Sequence, residues 1–291
     1  MEITDITADL ARSFLPERAA DAHKGTFGHL FIIAGSRRFT GAPRMVALGA
    51  LRSGVGLATV GCPAAISAII SSALLESMIL ELPPTRNGAI AEAAVGPALS
   101  FAKDKEAVVV GPGLGMLWDT REFVVGFLRN DHPPAVVDAD GLNAVAEHSA
   151  FDGLKNCVIT PHPGEMGRLM NMSPKDVQGD RAAAAANCAQ RTNAVTVLKG
   201  HGTIVALPDG QCFLNHTGNV GMASGGTGDV LAGMIGALLA QGLSPADAAR
   251  VGVFVHGLAG DIAVEKVGAR SLIAGDVIDA LPTAWQALER R

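Results

Sequence analysis

Ala107-Val-Val-Val-Gly-Pro-Gly-Leu-Gly115 starts as an apolar run and stops in a loop where every second residue is glycine; a helical pattern follows over residues 119–129. So short a run of β-branched residues, closed by Gly and Pro, reads as a strand buried on both faces. The same unit recurs on either side. Upstream, His29-Leu-Phe-Ile-Ile-Ala34 is the first central strand, entering Gly35-Ser-Arg-Arg-Phe-Thr-Gly41 and then a small-residue helix over 42–53. Further strands are expected over 57–60 and 77–80, with helices over 64–71 and 90–101. Downstream, Ala135-Val-Val-Asp138, Cys157-Val-Ile-Thr160 and Ala194-Val-Thr-Val-Leu198 are three more strands, each ending in a polar or Gly/Pro loop. Residues 204–207 and 211–214, joined by Pro208-Asp-Gly210, read as a hairpin, and helices are expected over 228–241, 245–267 and 274–288. The alternation predicts an α/β fold with a central, mostly parallel sheet. No linker, charge block or repeat interrupts it, so residues 1–291 are read as one domain.

With 48% hydrophobic residues among 291, the chain has ample material for a core. A net charge of −5 offers no general attraction to nucleic acid or an anionic membrane, and 4% aromatic residues with no tyrosine make a poor platform for stacking bases. The expected partner is a small molecule. No apolar run reaches the ~18 to 20 residues needed to cross a bilayer, so no membrane partner is expected. Cys62, Cys157, Cys188 and Cys212 lack metal-ligand spacing, and the polar start Met1-Glu-Ile-Thr-Asp carries no secretory signal, which fits reduced cysteines in the cytoplasm.

The strand-end loops of a parallel sheet share its carboxyl edge, where ligands bind in open α/β folds. Gly111-Pro-Gly-Leu-Gly115 either lets a ligand approach the backbone or is a tight strand-to-helix turn. It does not form a dinucleotide fingerprint, and neither does Gly35-Ser-Arg-Arg-Phe-Thr-Gly41, which disfavours simple NAD-dependent oxidoreduction. In Val137-Asp-Ala-Asp-Gly-Leu-Asn143, Asp138 and Asp140 could face a hydrated magnesium, though capping of the next helix by Asp140 is preferred. Thr160-Pro-His-Pro-Gly-Glu165 is held by two prolines and projects His162 and Glu165; the bland alternatives are a structural histidine donor and a first-turn acid. Lys199-Gly-His-Gly-Thr203 offers a lysine and open backbone to a nucleotide phosphate. His256, in an apolar helical stretch, is read as a core residue in preference to a contact of the nucleotide base. Asn215-His-Thr-Gly-Asn219 either shapes the nucleotide pocket or is an ordinary connection.

Gly221-Met-Ala-Ser-Gly-Gly-Thr-Gly-Asp229 carries the sharpest chemical signal. Its glycines leave backbone N–H groups unshielded at a helix N-terminus, the arrangement that holds phosphate. Asp229 would repel that phosphate unless it has a chemical task, and the natural one is taking a proton from an attacking hydroxyl. A first-turn acid favoured by the helix dipole is the plain alternative.

Together Lys24-Gly-Thr-Phe-Gly-His29, residues 111–115, 138–143, 160–165, 199–203 and Gly225-Gly-Thr-Gly-Asp229 resemble, in order, the motifs of the ADP/ATP-dependent NAD(P)H-hydrate dehydratases. The resemblance spans about residues 24–280 and implies a ribokinase-like three-layer α/β/α fold. It implies dehydration of the S form of C6-hydrated NADH or NADPH, driven by ADP (or ATP) with Mg2+ through a transient phosphorylated hydrate. Asp229 would be the base, and the backbone amides of Gly226, Thr227 and Gly228 would stabilise the transferred group. Ala42, Gly113, His162 and Asp229 would contact the hydrated dinucleotide. Lys199, Gly200, His201, Gly202, Thr203 and Gly228 would hold the AMP part, and Glu165 would meet magnesium through water. Implied as well are a homotetramer, a stand-alone dehydratase and a functional link to a separate epimerase. A kinase similar to hydroxyethylthiazole kinase and a non-catalytic nucleotide sensor are the competing readings.

Overall fold

The computed structural model describes residues 2–290. Ten strands form one sheet: β1 Ile3–Asp5, β2 His29–Ile33, β3 Leu57–Pro63, β4 Met78–Leu82, β5 Ala107–Val110, β6 Ala135–Val137, β7 Cys157–Ile159, β8 Val195–Leu198, β9 Thr203–Ala206 and β10 Cys212–Asn215. Their order is β1-β10-β9-β8-β7-β6-β5-β2-β3-β4, and only β9 runs antiparallel to its neighbours. Twelve α-helices connect them: α1 Ala8–Ser13, α2 Ala42–Arg52, α3 Ala64–Ser71, α4 Val95–Ala102, α5 Trp118–Leu128, α6 Asp140–His148, α7 Pro163–Met170, α8 Pro174–Gly179, α9 Arg181–Thr192, α10 Thr227–Ala240, α11 Pro245–Val267 and α12 Ala274–Glu289.

Side chains alternate across the pleat, so each inner strand feeds two cores. Leu30, Ile32 and Val109 pack with α2, α3, α10, α11 and α12, whereas Phe31, Ile33, Val108 and Val110 pack with α4, α5, α6, α7 and α9. The result is helix, sheet and helix in three layers. Full burial of a Val, Ile or Phe contributes about 1.5–3 kcal/mol, which explains why the central strands β5 and β6 are apolar at every position.

α10 is buried on nearly all sides, and it crosses α2 at backbone contact distance. A methyl group on Gly233 would lie 2.0 Å from the carbonyl oxygen of Val46, and one on Gly49 would lie 2.5 Å from that of Val230. These two glycines therefore fix how close the helices approach. Both helices start at the carboxyl edge of the sheet, so their spacing sets the width of what lies between their N-termini.

Three expectations shift. The helix expected over 90–101 begins later: Ile90 is buried and forms a β-bridge to Pro84, a 3-10 turn spans Glu92–Ala94, and α4 starts at Val95. Asp138 and Thr160 fall just beyond the last strand residues. β1, absent from the sequence reading, pairs parallel with β10 and closes one edge of the sheet. Among the described residues no helix is long and apolar enough to cross a membrane.

Candidate active site at the carboxyl edge of the sheet

β5, β6, β7 and β8 are parallel neighbours, so the loops that leave them lie side by side. The loop after β5 is held from two directions. The Ser36 hydroxyl donates to the Gly113 carbonyl (2.8 Å), and the Gly115 N–H donates to Asp140 Oδ2 (2.8 Å). Asp140 is therefore not the cap of α6; that position is Ala139, at φ 50° and with no side-chain cap bond. A carboxylate finds a better partner in an N–H freed by the glycine loop than in its own helix start. Gly113 sits at φ 64°, and a Cβ there would come within 2.8 Å of both Ala42 and Phe39. Gly113 and Ala42 are thus close neighbours.

The next loops build a charge cluster. Asp138, 1% exposed, accepts from the Thr160 hydroxyl (2.7 Å) and pairs with Lys199 Nζ (2.7 Å). Glu165 lies 3.9 Å from the same ammonium. Burial works against the charge on Lys199, but Asp138 and Glu165 outweigh it and raise its pKa. His162 and Glu165 form a capping box at the start of α7: His162 Nδ1 accepts from the Gly164 N–H (2.9 Å), and Glu165 Oε2 accepts from the His162 N–H (2.8 Å). His162 Nδ1 is thus an acceptor in the cap while its Nε2 stands 3.3 Å from Glu165 Oε1, and Glu165 is folded back and buried instead of projecting. Burial lowers the His162 pKa, with Glu165 opposing.

α10 begins at Gly226, whose φ of 93° turns the chain into the helix without a side-chain cap. The Thr227 hydroxyl donates to the carbonyls of Met222 (2.9 Å) and Ser224 (3.0 Å), which bolts the loop to itself and leaves only the Thr227 backbone for other work. Gly228 faces Lys199: a Cβ there would stand 3.3 Å from Nζ. Asp229 follows, at the mouth of the helix. Burial is the main reason its pKa is pushed up to about 7; Asp138 raises it further and Lys199 opposes.

A cavity of about 710 Å³ opens between these groups. Its wall includes Asp229, Gly226, Thr227 and Gly228, together with His162, Lys199, Gly200, His201, Gly202 and Thr203. Ala42 and Gly113 are not among its wall residues; Met45, on the same helix as Ala42, approaches Gly226 at the start of α10. Glu165 is not among them either and stands 3.9 Å from Lys199 Nζ. Further wall comes from residues 215–220 and from Val253, His256 and Gly257 of α11. Thr217 Oγ1 donates to the Phe254 carbonyl (2.9 Å), Asn215 Nδ2 donates to the Val253 carbonyl (3.2 Å), and Asp261 accepts from the Gly218 N–H (2.9 Å). Those ties make residues 215–219 a built wall of the cavity, more than an ordinary connection. His256, buried as expected, also faces this cavity.

Sequence reasoning missed Arg181. Its Nη2 donates to the carbonyls of Leu198 (3.0 Å) and Gly202 (3.2 Å), pulling the carbonyls of the lysine loop inward. The visible signal was slight: one arginine opening an alanine-rich helix. Acidic groups outnumber cations here, with Asp138, Asp140, Glu165 and Asp229 near Lys199. Such a donor set suits a magnesium carried by phosphates and met through water. Among the described residues no group of three His, Cys, Asp or Glu could hold a metal ion on its own.

The family model described as NAD(P)H-hydrate dehydratase matches residues 30–283. The bifunctional NAD(P)H-hydrate repair enzyme of Moorella thermoacetica is 42% identical over 98% of this chain and 54% of its own length. The chain spans about half the length of that relative and of several others like it. A crystal structure of the ADP/ATP-dependent NAD(P)H-hydrate dehydratase from Bacillus subtilis, co-crystallized with ATP and Mg2+, is 32% identical, covers 99% of this chain and 100% of that one, and has a TM-score of 0.83. A ribokinase-like superfamily protein from Enterococcus faecalis V583 is 24% identical, covers 99% of this chain and 97% of its own, and at a TM-score of 0.85 shares the fold. The architecture is ribokinase-like, and the chain belongs to the NAD(P)H-hydrate dehydratase family.

Proposed function

We propose that the protein dehydrates the S form of C6-hydrated NADH or NADPH at the expense of ADP, releasing AMP and phosphate. The observation that carries this reading is Asp229, a carboxylate whose pKa is pushed up to about 7, set beside the anion loop and Lys199. A group that ionises near the working pH is suited to take a proton from an attacking hydroxyl. The C6 hydroxyl gives its proton to Asp229 and attacks the terminal phosphorus of ADP, and AMP departs with the electrons of the broken P–O bond. The N–H groups of Gly226, Thr227 and Gly228 stabilise the charge that develops on the transferred group. The ring nitrogen lone pair then expels phosphate from C6, and loss of the C5 proton restores the dihydropyridine. A kinase-like step thus ends as a dehydration.

In this reading the AMP part lies along Lys199, Gly200, His201, Gly202 and Thr203 and against Gly228, inside the cavity. The hydrated dinucleotide meets Ala42, Gly113 and His162, the last of these in the cavity wall with Asp229. The close approach of Met45, on the helix of Ala42, to Gly226 at the start of α10 supports a meeting of the two ligands there. Magnesium bound to the phosphates would supply charge neutralisation, met through water by Asp138 in the cavity wall, while Glu165, buried behind Lys199, acts on the site through the charge of that ammonium. The relative co-crystallized with ATP and Mg2+ supports this donor chemistry. ADP as preferred donor, a homotetramer and work in the cytoplasm beside a separate epimerase complete the reading. Burial pushes the Cys62 and Cys157 thiols up to about 12, a state that resists oxidation.

The test is Asp229→Asn. Turnover of hydrated NADH is expected to fall by at least about a hundredfold, the usual contribution of a general base, while calorimetric binding of Mg-ADP persists. Retained turnover would remove Asp229 from this role, and transfer of phosphate to an alcohol that keeps it would move the protein to the small-molecule kinases.

A further inference from the structure

We propose that Nε2 of His256 accepts a hydrogen bond from a donor on the nucleoside part of the nucleotide, either a ribose hydroxyl or an amine of the base, and so selects which nucleotide the cavity takes. This rests on the reading that the cavity holds the nucleotide.

His256 lies within α11 on an otherwise apolar stretch and is 9% exposed, yet it belongs to the wall of the cavity. Burial favours the uncharged ring and lowers its pKa to about 4, against an opposing hydrogen bond with the Thr227 backbone. A neutral imidazole has one donor nitrogen and one acceptor nitrogen. The Thr227 bond raises the pKa, so it stabilises a ring N–H, and the backbone atom that receives it is the carbonyl. Nε2 is buried with no partner among the described residues. The hydrogen therefore sits on Nδ1, and Nε2 presents a bare lone pair.

Polar neighbours on this wall are already committed. The Thr217 hydroxyl bonds Asn215 Oδ1 and the Phe254 carbonyl, and the Asn215 amide donates to Thr217 and Val253 carbonyls. Leu231, Val253 and Gly257 supply apolar surface to the same cavity wall. A buried acceptor left unpaired destabilises a protein, and a ligand that delivers a donor removes the penalty. Phosphate oxygens are acceptors and repel this lone pair, whereas a ribose or an amino-purine carries donors. Thr227 belongs to the glycine loop that opens α10, so the same ring bonds that loop and stands in the cavity wall. His256 thereby couples recognition of the nucleoside to the backbone that faces the phosphates.

The experiment is titration calorimetry of the full chain with Mg-ADP, 2′-deoxy-ADP, 3′-deoxy-ADP and purine riboside 5′-diphosphate, the last lacking the base amine. Each ligand is measured on wild type, His256→Phe and His256→Gln. Phe keeps the ring and removes both nitrogens; Gln returns an acceptor oxygen at the depth of Nε2. His256→Phe is expected to weaken Mg-ADP roughly five- to tenfold, one neutral hydrogen bond, and His256→Gln to recover most of that. One analogue should bind wild type weaker than ADP by the same factor yet bind His256→Phe as well as ADP does; that analogue identifies the donor. Equal losses for all four ligands in His256→Phe, or no loss, would overturn the assignment. Should Phe not fold, failure of His256→Gln to retain wild-type discrimination among the analogues would do the same. If wild type binds no Mg-ADP, the reading of the cavity itself fails, and binding without turnover separates the two failures.

Discussion

Asp229 holds its function and its cost in one group. Its carboxyl ordinarily ionises near 3.8 and here near 7, chiefly because it is buried, with Asp138 adding to the effect. In the proposed reaction the ionised form is the base, so kcat/KM is expected to rise with pH and level off above about 7; a pH-rate profile checks it, and a flat profile between 5 and 8 contradicts it. Stability runs the other way. A carboxyl whose folded pKa is raised binds its proton more tightly in the native state, so the stability that the proton lends is present below about 4 and is lost as pH climbs to about 7. At pH 8 the native chain carries a buried charge that costs on the order of a few kcal/mol. Asp229→Asn should therefore melt above wild type at pH 8, with the gap narrowing toward pH 5. Comparing the two proteins isolates this group, because the opposite contribution of His256, whose pKa is lowered to about 4, is common to both.

Elements bring that residue to its place, and α2 and α10 matter most. Gly233→Ala would drive a methyl group into the Val46 carbonyl at 2.0 Å, backbone against backbone. The expected cost is ~2 kcal/mol or more, read as a lower urea midpoint at unchanged slope, together with lower activity because both helix N-termini flank the site. An unchanged midpoint would mean that the crossing is loose. Most of the elements could be read from the chain, since apolar runs such as 107–110 must be buried on both faces and their Gly/Pro loops must end them. β1 escaped because three exposed residues at a sheet edge carry no burial pattern. α7 escaped because its start reads as a loop: only in three dimensions do His162 and Glu165 close a capping box. The anion loop and Lys199 were legible because glycine, lysine and aspartate at strand and helix ends announce their chemistry locally. Arg181 and the cavity-facing side of His256 were not, since a contact to three carbonyls or an unpaired lone pair is a property of neighbours distant in sequence.

At the scale of the whole molecule, one sheet runs through every layer, and both cores lean on it. We therefore expect residues 1–291 to unfold as a single domain, with near- and far-UV signals giving coincident transitions; two separated transitions would refute the one-domain reading. We expect this architecture, whose fold is ribokinase-like, to return a damaged cofactor to use without keeping the phosphate. Incubation of the purified chain with hydrated NADH and either Mg-ADP or Mg-ATP, followed at ~340 nm where the reduced nicotinamide absorbs, tests it most directly. The account predicts recovery of absorbance that depends on ADP, with AMP and phosphate formed in equal amounts to the NADH regained. No recovery with either nucleotide, while the same protein transfers phosphate stably to another alcohol, would contradict it.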